Sequence, residues 1–144
     1  MEGFTFFKES VILKEYRIMK ELFMRVAVVG SRSIREIDLG RILQQIPDNC
    51  SEIVSGGASG VDSIARDIAS RLSVPMKEFL PDYHSFGRTA PFQRNQEIAD
   101  YCDMLVAVWD YRSKGTRDVL LRALKLQKKV KIVMVDAMEE NEKE

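Results

Sequence analysis

Arg25-Val-Ala-Val-Val-Gly30 is the stretch that decides the fold, because it is an unbroken apolar run, rich in β-branched residues, that stops at a glycine. A run of this kind predicts a strand buried on both faces, as in a parallel sheet. Downstream, Ser33 and Glu36 have the spacing of a capping box, which predicts a helix start. Apolar residues then recur at helical spacing until Pro47: Leu39, Ile42, Leu43 and Ile46. The pattern predicts a first strand–loop–helix unit over residues 25–46.

The same unit recurs further along the chain. Glu52-Ile-Val-Ser55 predicts a second strand, and the glycine-rich loop 56–60 follows it. The next helix begins at Val61, and its apolar residues keep i, i+3, i+4, i+7 spacing: Val61, Ile64, Ala65, Ile68, Ala69 and Leu72. Two consecutive units of this type indicate a repeating β/α architecture.

The rest of the chain continues the alternation. The predicted elements are a third strand over Val74–Leu80, a polar loop over 81–90, a helix from Pro91 to about Tyr101, a fourth strand over Met104–Trp109, a helix over Gly115–Lys128 and a fifth strand over Val130–Val135. Because prolines flank the third strand and cannot donate to a ladder, that strand belongs at a sheet edge. We predict an α/β, Rossmann-like three-layer fold with a five-stranded, mainly parallel sheet in the order 3-2-1-4-5.

Three segments follow from this reading. Residues 24–138 form the Rossmann-like domain, and residues 139–144 form a charged tail that we expect to fray. Residues 1–23 precede the alternating strands and helices, and two interpretations of this segment stay open. They form an added amphipathic helix, or they reflect an upstream start with the domain beginning at Met24.

The composition excludes several classes of protein. The 144 residues carry 22 basic and 22 acidic side chains, so the formal net charge is zero and a strongly basic nucleic-acid footprint is absent. No segment approaches the about 20 apolar residues of a membrane span, and charges throughout the first 23 residues leave no apolar core for a signal peptide. Two cysteines and one histidine do not supply the ligands of a structural zinc site. We expect a cytoplasmic protein without a metal or cofactor.

Small, hydroxyl and cationic residues follow the predicted strands, where ligands of open α/β sheets bind. Glycine permits close backbone approach, helix N-termini attract anions, and arginine grips phosphate bidentately. We therefore predict a phosphate cradle, within which Asp110 accepts from a ribose hydroxyl. The predicted ligand-binding residues are Gly30, Ser31, Arg32, Gly56, Gly57, Ala58, Gly60, Asp62, Asn95, Asp110, Ser113, Gly115 and Thr116. A second interpretation of the glycines at 56–60 is a tight β–α connection without a ligand.

Common phosphate-binding and hydrolase fingerprints are missing. The chain has no G-x-x-x-x-G-K-[ST] loop, and no G-x-G-x-x-G follows the first strand. No G-x-S-x-G elbow is present either. These absences exclude ordinary ATPase, GTPase, dehydrogenase and α/β-hydrolase functions.

Four motifs taken together resemble the SLOG superfamily, in particular its small YspA-like branch of unknown function. They are Val28-Val-Gly-Ser-Arg32, Ser55-Gly-Gly-Ala-Ser-Gly-Val-Asp62, Arg94-Asn95 and Ser113-Lys-Gly-Thr116. The resemblance covers about residues 24–136. It implies a Rossmann-like fold that binds nucleotides or nucleotide-derived ligands at the place predicted above.

Two branches of that superfamily suggest alternative functions. Lonely Guy phosphoribohydrolases cleave the N-glycosidic bond of a nucleoside monophosphate with a helix arginine and a glutamate. By this resemblance Arg94 takes the arginine's role, whereas the glutamate's position is Val119. Asp118 lies one residue early, a rotation of about 100° around the helix, so Asp62 or Asp110 would have to substitute. DprA, the second branch, resembles the chain through Ser55–Asp62 and binds single-stranded DNA.

Binding or sensing of a nucleotide is the function that these observations favour. Phosphoribohydrolase activity, with Arg94 and Asp118 as catalytic residues, is the alternative, and single-stranded DNA binding is the third. With zero net charge and no interleaving of aromatic and basic residues found, we do not expect a nucleic-acid partner or a membrane. The resemblance implies a homo-oligomer. The helix after the fourth strand supports this weakly, because Val119, Leu120, Leu121, Leu124 and Leu126 occupy much of its circumference.

Overall fold

A computed structural model describes residues 10–31, 34, 38–57 and 60–136. The strands are β1 (Met24–Gly30), β2 (Cys50–Ser55), β3 (Met76–Glu78), β4 (Met104–Trp109) and β5 (Lys129–Met134). The helices are α1 (Val11–Leu22), α2 (Leu39–Leu43), α3 (Val61–Leu72), α4 (Tyr83–Phe86), α5 (Ala90–Tyr101) and α6 (Lys114–Lys125), with a 3-10 turn at Gly87–Thr89. The predicted capping box at Ser33 and Glu36 and the tail 139–144 lie outside the described residues.

The five strands form one sheet in the order β3-β2-β1-β4-β5, and all four neighbouring pairs are parallel. The predicted fold class and strand order are confirmed. β1 lies at the centre, where Ala27 is level with Val54 of β2 and Gly30 is level with Val108 of β4. The chain reverses its winding between β1 and β4, so their ends flank the crevice where ligands of such sheets bind.

Helices cover both faces of the sheet, and successive strand residues pack against opposite layers. On one face the buried core comes from the sheet, α2 and α3: Val26, Val28, Ile42, Ile53, Ile68, Val106 and Val108. On the other face it comes from the sheet, α5 and α6: Ala27, Val29, Val54, Ile98, Leu105, Ala107, Val119 and Leu120. The continuous apolar runs of β1 and β4 are therefore strands buried on both sides, whereas most residues of β5 are exposed.

Several element boundaries differ from the predictions. β3 has only three residues, because Pro75 and Pro81 lack the N–H donors that a longer ladder needs. The predicted polar loop 81–90 contains α4, whose first turn is capped by the Asp82 side chain accepting from the Ser85 N–H at 3.0 Å. α6 ends at Lys125 rather than Lys128, because Gln127 has a φ of 58° and turns the chain into β5.

α1 precedes the sheet and ends at Leu22, and the N–H of the C-cap residue Phe23 donates to the Met19 carbonyl. Its first turn is capped by Ser10, whose Oγ accepts from the Leu13 N–H at 3.1 Å. None of the residues of α1 is buried. Among the described residues, no helix is both long and apolar enough to span a bilayer.

Candidate functional site

The residues that follow β1 and β4 are joined directly. Ser31 is buried, and its Oγ donates to Asp110 Oδ1 at 3.1 Å while accepting from the Asp110 N–H at 3.2 Å. The same Oδ1 accepts the N–H groups of Arg112 and Ser113, each at 2.8 Å. The Asp110 carboxylate therefore shapes the loop between β4 and α6. Acceptance from a ribose hydroxyl stays a prediction.

The N-terminus of α6 is closed by its own hydroxyl groups. Ser113 is the N-cap, and its Oγ accepts from the Thr116 N–H at 3.4 Å and lies 3.1 Å from Thr116 Oγ1. Thr116 is buried, whereas a Cβ built on Gly115 would meet no heavy atom within 4 Å. Open space at this terminus lies over Gly115.

Arg94 connects the loop after β2 to α5. Its Nη1 donates to the Gly56 carbonyl, and its Nε donates to Asn95 Oδ1 at 3.0 Å. Asn95 is buried, and its Nδ2 donates to the Gly115 carbonyl at 3.3 Å and to Asp118 Oδ2 at 3.0 Å. One chain of hydrogen bonds thus runs from β2 through α5 to the start of α6.

Within the described part of the chain, the Arg94 guanidinium has no carboxylate partner. The side chain is half-buried, and this burial lowers its pKa, because desolvation disfavours the charged form. Its two acceptors are a backbone carbonyl and a side-chain amide, which are dipoles and leave the positive charge uncompensated. Among the described residues, Arg94 is therefore a positioned cation without a carboxylate counter-ion.

The three acidic candidates all have internal partners. Asp118 Oδ2 accepts from Arg122 Nε at 2.8 Å as well as from Asn95. Asp62 accepts from Ser55 Oγ at 3.2 Å and from Arg66 Nη2 at 3.0 Å. Together with Asp110, these carboxylates hold loops and helices in place at this end of the molecule.

Two of the predicted glycines are explained by packing within the chain. A Cβ on Gly30 would overlap Ile34 Cδ1 and would lie 2.7 Å from the Val108 carbonyl oxygen. Gly57 has a φ of 72°, and a Cβ there would overlap Leu80 Cδ2. Gly56 lies beneath the Arg94 guanidinium, whereas Gly60 has open space. The tight-connection interpretation therefore accounts for Gly57.

The predicted site residues fall into connected groups at one end of the sheet, which we call the carboxyl edge. Two of these groups meet at the N-terminus of α6. The first contains Gly56, Arg94, Asn95, Gly115 and Asp118, and the second contains Ser31, Asp110, Ser113 and Thr116. Asp62 lies beneath the loop after β2 through its bond to Ser55. Arg32 and Ala58 lie outside the described residues.

From the sequence, Tyr83 and Phe86 have two interpretations, stacking on a base or packing within their loop, and the predicted site left out a set of exposed aromatic and basic residues at the same edge. They lie on α4, on the 3-10 turn, at the start of α5, between β4 and α6 and in the first turn of α6: Tyr83, Phe86, Arg88, Phe92, Tyr111, Arg112, Lys114 and Arg117. The segments 81–95 and 110–117 carry five cations and two carboxylates between them, despite the zero net charge of the chain. The alternation of aromatic and basic residues from position 83 to 94 was the available signal.

One cavity, of about 470 Å³, lies between α1 and the end of the sheet opposite the carboxyl edge. Another, of about 310 Å³, lies between α2 and the C-terminal half of β5. Residues 32–33 and 58–59 lie outside the described part of the chain, so the concave phosphate pocket stays a prediction. The described residues contain no group of three or more metal-ligating side chains.

Comparison with known proteins gives one structural relationship. No protein-family model matches the chain, and no curated protein matches it. The X-ray structure of DNA processing protein A (DprA) from Streptococcus pneumoniae superposes with a TM-score of 0.64 at 20% sequence identity. The match covers 81% of this chain and 52% of that one, so the chain spans about half the length of the protein it matches.

This match corrects the expectation against a nucleic-acid partner, because the protein that shares the fold is named for DNA processing. The expectation rested on net charge, which says nothing about how charges are distributed over the surface. It also rested on missing aromatic and basic interleaving, which the carboxyl edge in fact carries. Over 81% of its length, the chain has the fold of DprA.

Proposed function

We propose that the carboxyl edge binds single-stranded DNA, with a backbone phosphate held by Arg94. The observation that carries this proposal is the half-buried Arg94 guanidinium, which has no carboxylate partner among the described residues. Desolvating a cation without an opposite charge costs free energy, and a bound phosphate would offset that cost. Asn95 and the Gly56 carbonyl hold the guanidinium in place before the ligand arrives.

Backbone groups near Arg94 support an anion site. α3 has Gly60 as its N-cap, and no side chain among the described residues accepts the N–H groups of its first turn. A Cβ built on Gly60 or Gly115 would meet no heavy atom within 4 Å, so the space beside these two helix starts is open even though Ser113 caps α6. Helix N-termini carry partial positive charge and donate to anions.

Exposed aromatic side chains favour DNA over a free nucleotide. Tyr83, Phe86, Phe92 and Tyr111 lie at the same edge as the excess cations, and each is at least two-fifths exposed. Single strands bind where aromatic rings stack on bases and cations follow the backbone, with about 1–3 kcal/mol per stacked base. The shared fold with a DNA-processing protein also supports a DNA ligand. The chain spans about half the length of that protein.

A free nucleotide or nucleotide derivative is the second candidate. Arg94 alone suffices to hold one phosphate, and the open helix starts suit a terminal phosphate as well as a diester. N-glycosidic cleavage has weaker support. It needs a general acid or base, and the candidate carboxylates Asp62, Asp110 and Asp118 have internal partners.

Fluorescence anisotropy with a labelled oligothymidine tests the proposal. We expect Arg94→Ala to weaken DNA binding at least about tenfold, because one charge-assisted phosphate contact is lost. The log–log salt slope should fall by about 0.7, the contribution of one phosphate contact to a single strand. Arg71→Ala is the matched control, because Arg71 is exposed and paired with Asp67 on α3.

Two readouts separate the candidates and check folding. Urea unfolding should show Arg94→Ala within about 1 kcal/mol of the wild type, because the lost hydrogen bonds are offset by removal of a desolvated charge. Calorimetry against mononucleotides tests the second candidate, which gains if a nucleotide binds and oligothymidine does not. Equal DNA affinity of Arg94→Ala and the wild type would refute the role of Arg94.

A further inference from the structure

β5 lies at one edge of the sheet, and among the described residues no strand pairs with its outer side. The Val135 N–H donates to the Trp109 carbonyl of β4 at 3.0 Å, which shows how the backbone of β5 is turned. Because backbone N–H and C=O groups alternate in direction along a strand, those of Val130, Ile132 and Met134 face away from β4. This outer edge of β5 is a row of hydrogen-bonding groups on which another strand can pair.

Apolar side chains accompany the outer edge on the face of the sheet that carries α6. Ile132 is level with Ala107 and Met134 is level with Trp109, so both point to that face, yet they are 45% and 53% exposed. Leu124 is 51% exposed and lies on the flank of α6 away from α5, because the hydrogen bonds between these helices come from the opposite flank. Outward-facing backbone groups beside exposed apolar side chains mark an interaction surface.

We propose that a second copy of this chain pairs with the outer edge of β5, so that the two sheets become one continuous sheet. The two β5 strands run antiparallel about a two-fold axis, with Ile132 directly opposite the partner's Ile132 and Val130 opposite the partner's Met134. Antiparallel strands exchange two hydrogen bonds at every second residue pair, and these three residues have their N–H and C=O groups turned outward at that spacing. The two-fold axis closes the contact, so association stops at a dimer.

The charges around β5 fit a second copy in this register. Lys128, just before the strand, comes near the partner's Asp136, just after it, and the two-fold axis repeats the contact. Sliding one strand by two residues in one direction would set Lys131 directly against the partner's Lys131, which is repulsive. Sliding it the other way would set Val130 against the partner's Asp136. Of these three registers, only the first is self-complementary, and this favours a second copy over an unrelated strand.

The cavity between α2 and β5 supplies room for a side chain of the second copy. In the proposed register Lys131 lies opposite the partner's Val133, on the face of the sheet that carries α2. Val133 lines the cavity of about 310 Å³ together with Gln44 and Gln45, whose side-chain carbonyls can accept from an ammonium group. Arg41, the cation in the lining, already has an acidic partner at 3.5 Å. The recess therefore suits the partner's Lys131.

A proline at the outer edge tests the pairing. Because the Ile132 N–H faces away from β4, Ile132→Pro removes no hydrogen bond between β4 and β5. Sedimentation equilibrium should show a wild-type dimer at high micromolar concentration and an affinity at least about tenfold weaker for Ile132→Pro, which loses one interface hydrogen bond from each copy. Ile132→Val keeps the N–H and is the control, expected within about threefold of the wild type. A monomeric wild type overturns the proposal, as does an Ile132→Pro dimer as tight as the wild type.

Hydrogen exchange separates loss of the dimer from loss of the fold. In the wild-type dimer the Val130 and Met134 amides should exchange slowly, and in Ile132→Pro they should exchange quickly while the Val135 amide stays protected by β4. If Val135 also exchanges quickly, β5 has separated from β4, and Ile132→Glu replaces the proline, because it sets two carboxylates against each other across the axis. Equally fast exchange of Val130 and Met134 in the wild type overturns the proposal.

Disulfide trapping tests the register. In the proposed pair the two Ile132 Cα atoms are about 5.5 Å apart, so Ile132→Cys can form a disulfide with its own copy. Met134→Cys is the matched control, because Met134 is similarly exposed but lies about 14 Å along the strand from its own copy. Under mild oxidation only Ile132→Cys should cross-link, since the native Cys102 is buried and Cys50 is partly buried. Equal cross-linking of the two variants, or none above the wild type, overturns the register and with it the proposal.

Discussion

The two ends of the sheet use charge in opposite ways. At the end where the strands begin, the amino edge, Asp103 accepts from the Arg25 N–H at 2.9 Å and lies 3.2 Å from Arg25 Nε and 3.1 Å from Lys20 Nζ. Beside it, the Tyr101 hydroxyl donates to Glu52, and the Arg25 guanidinium lies 4.4 Å from the centre of the Tyr101 ring. At the carboxyl edge, Arg94 has only neutral acceptors among the described residues.

The difference separates a structural use of charge from a binding use. Asp103 is a buried acid whose partners come from α1 and β1, so its charge joins elements to one another. Arg94 is held by neutral dipoles, which stabilise its charge less than a carboxylate would. A cation maintained in that state is prepared for a ligand of opposite charge. Substitutions at the two edges should therefore affect different measurements.

The largest effect on stability is expected at the amino edge. Asp103→Ala should lower the free energy of unfolding by about 2 kcal/mol, because it removes charged hydrogen bonds and leaves the Arg25 N–H without an acceptor. Urea denaturation measures the change. Asp67→Ala is the control, an exposed acid in an i,i+4 pair with Arg71, and should change stability by less than about 0.5 kcal/mol. If the two substitutions lowered the free energy of unfolding equally, Asp103 would contribute no more to stability than an exposed ion pair does.

The contribution of the Asp103 carboxylate to the free energy of unfolding should depend on pH. Burial raises the pKa of Asp103, but hydrogen bonds from Arg25 and Lys20 outweigh it and leave the pKa below its ordinary value of 3.8. Because the folded state holds this group deprotonated more strongly than the unfolded state does, its stabilisation is fully present above the unfolded pKa. It is lost as the pH falls through the folded pKa.

Urea midpoints at about pH 7 and about pH 3 test this prediction. The gap in stability between the wild type and Asp103→Asn should narrow as the pH falls, because protonation makes the two side chains alike. A gap that stays constant across this range would show that Asp103 acts through shape rather than charge.

The smallest effect on stability should come with a specific effect on binding. Gly115→Ala should stabilise the fold by about 0.5 kcal/mol, since the added methyl meets no heavy atom and alanine favours the helix. Gly40→Ala is a matched control, because Gly40 is also the second residue of a helix and has open space around it. Only Gly115→Ala should weaken oligothymidine binding, as measured by anisotropy. Equal binding by both variants would place the phosphate away from α6.

Local patterns were sufficient to predict most of the fold. β4 has the bounds that its apolar run predicts, and α3 begins and ends where its periodicity does, at Val61 and Leu72. The predicted boundaries were wrong where a single side chain or a single backbone angle determines where a helix begins or ends. α4 depends on the Asp82 cap, and the end of α6 depends on the positive φ of Gln127. Neither the Asp82 cap nor the positive φ of Gln127 is accompanied by a periodic pattern of apolar residues, so neither helix boundary could be predicted from such a pattern.

The hydrogen-bond partners of the site residues could not be predicted from local sequence patterns. Arg94 meets the Gly56 carbonyl across 38 residues of chain, and Ser31 meets Asp110 across 79. From the sequence, Gly30 and Gly57 suggested close approach of a ligand, whereas Ile34 and Leu80 occupy the space that their missing side chains leave. The residue types at the carboxyl edge were predictable, but their contacts were not.

By itself, then, the sequence determined the parallel five-stranded sheet, its order and the edge at which hydroxyl, glycine and cationic residues gather. These follow from periodicity and crossover handedness, which act between neighbours along the chain. Only the tertiary structure decided which charges are compensated by an opposite charge. It shows that Asp103 has cationic partners, whereas Arg94 has no carboxylate partner among the described residues. Compensation depends on distances between groups remote in sequence, and the packing of the layers sets those distances.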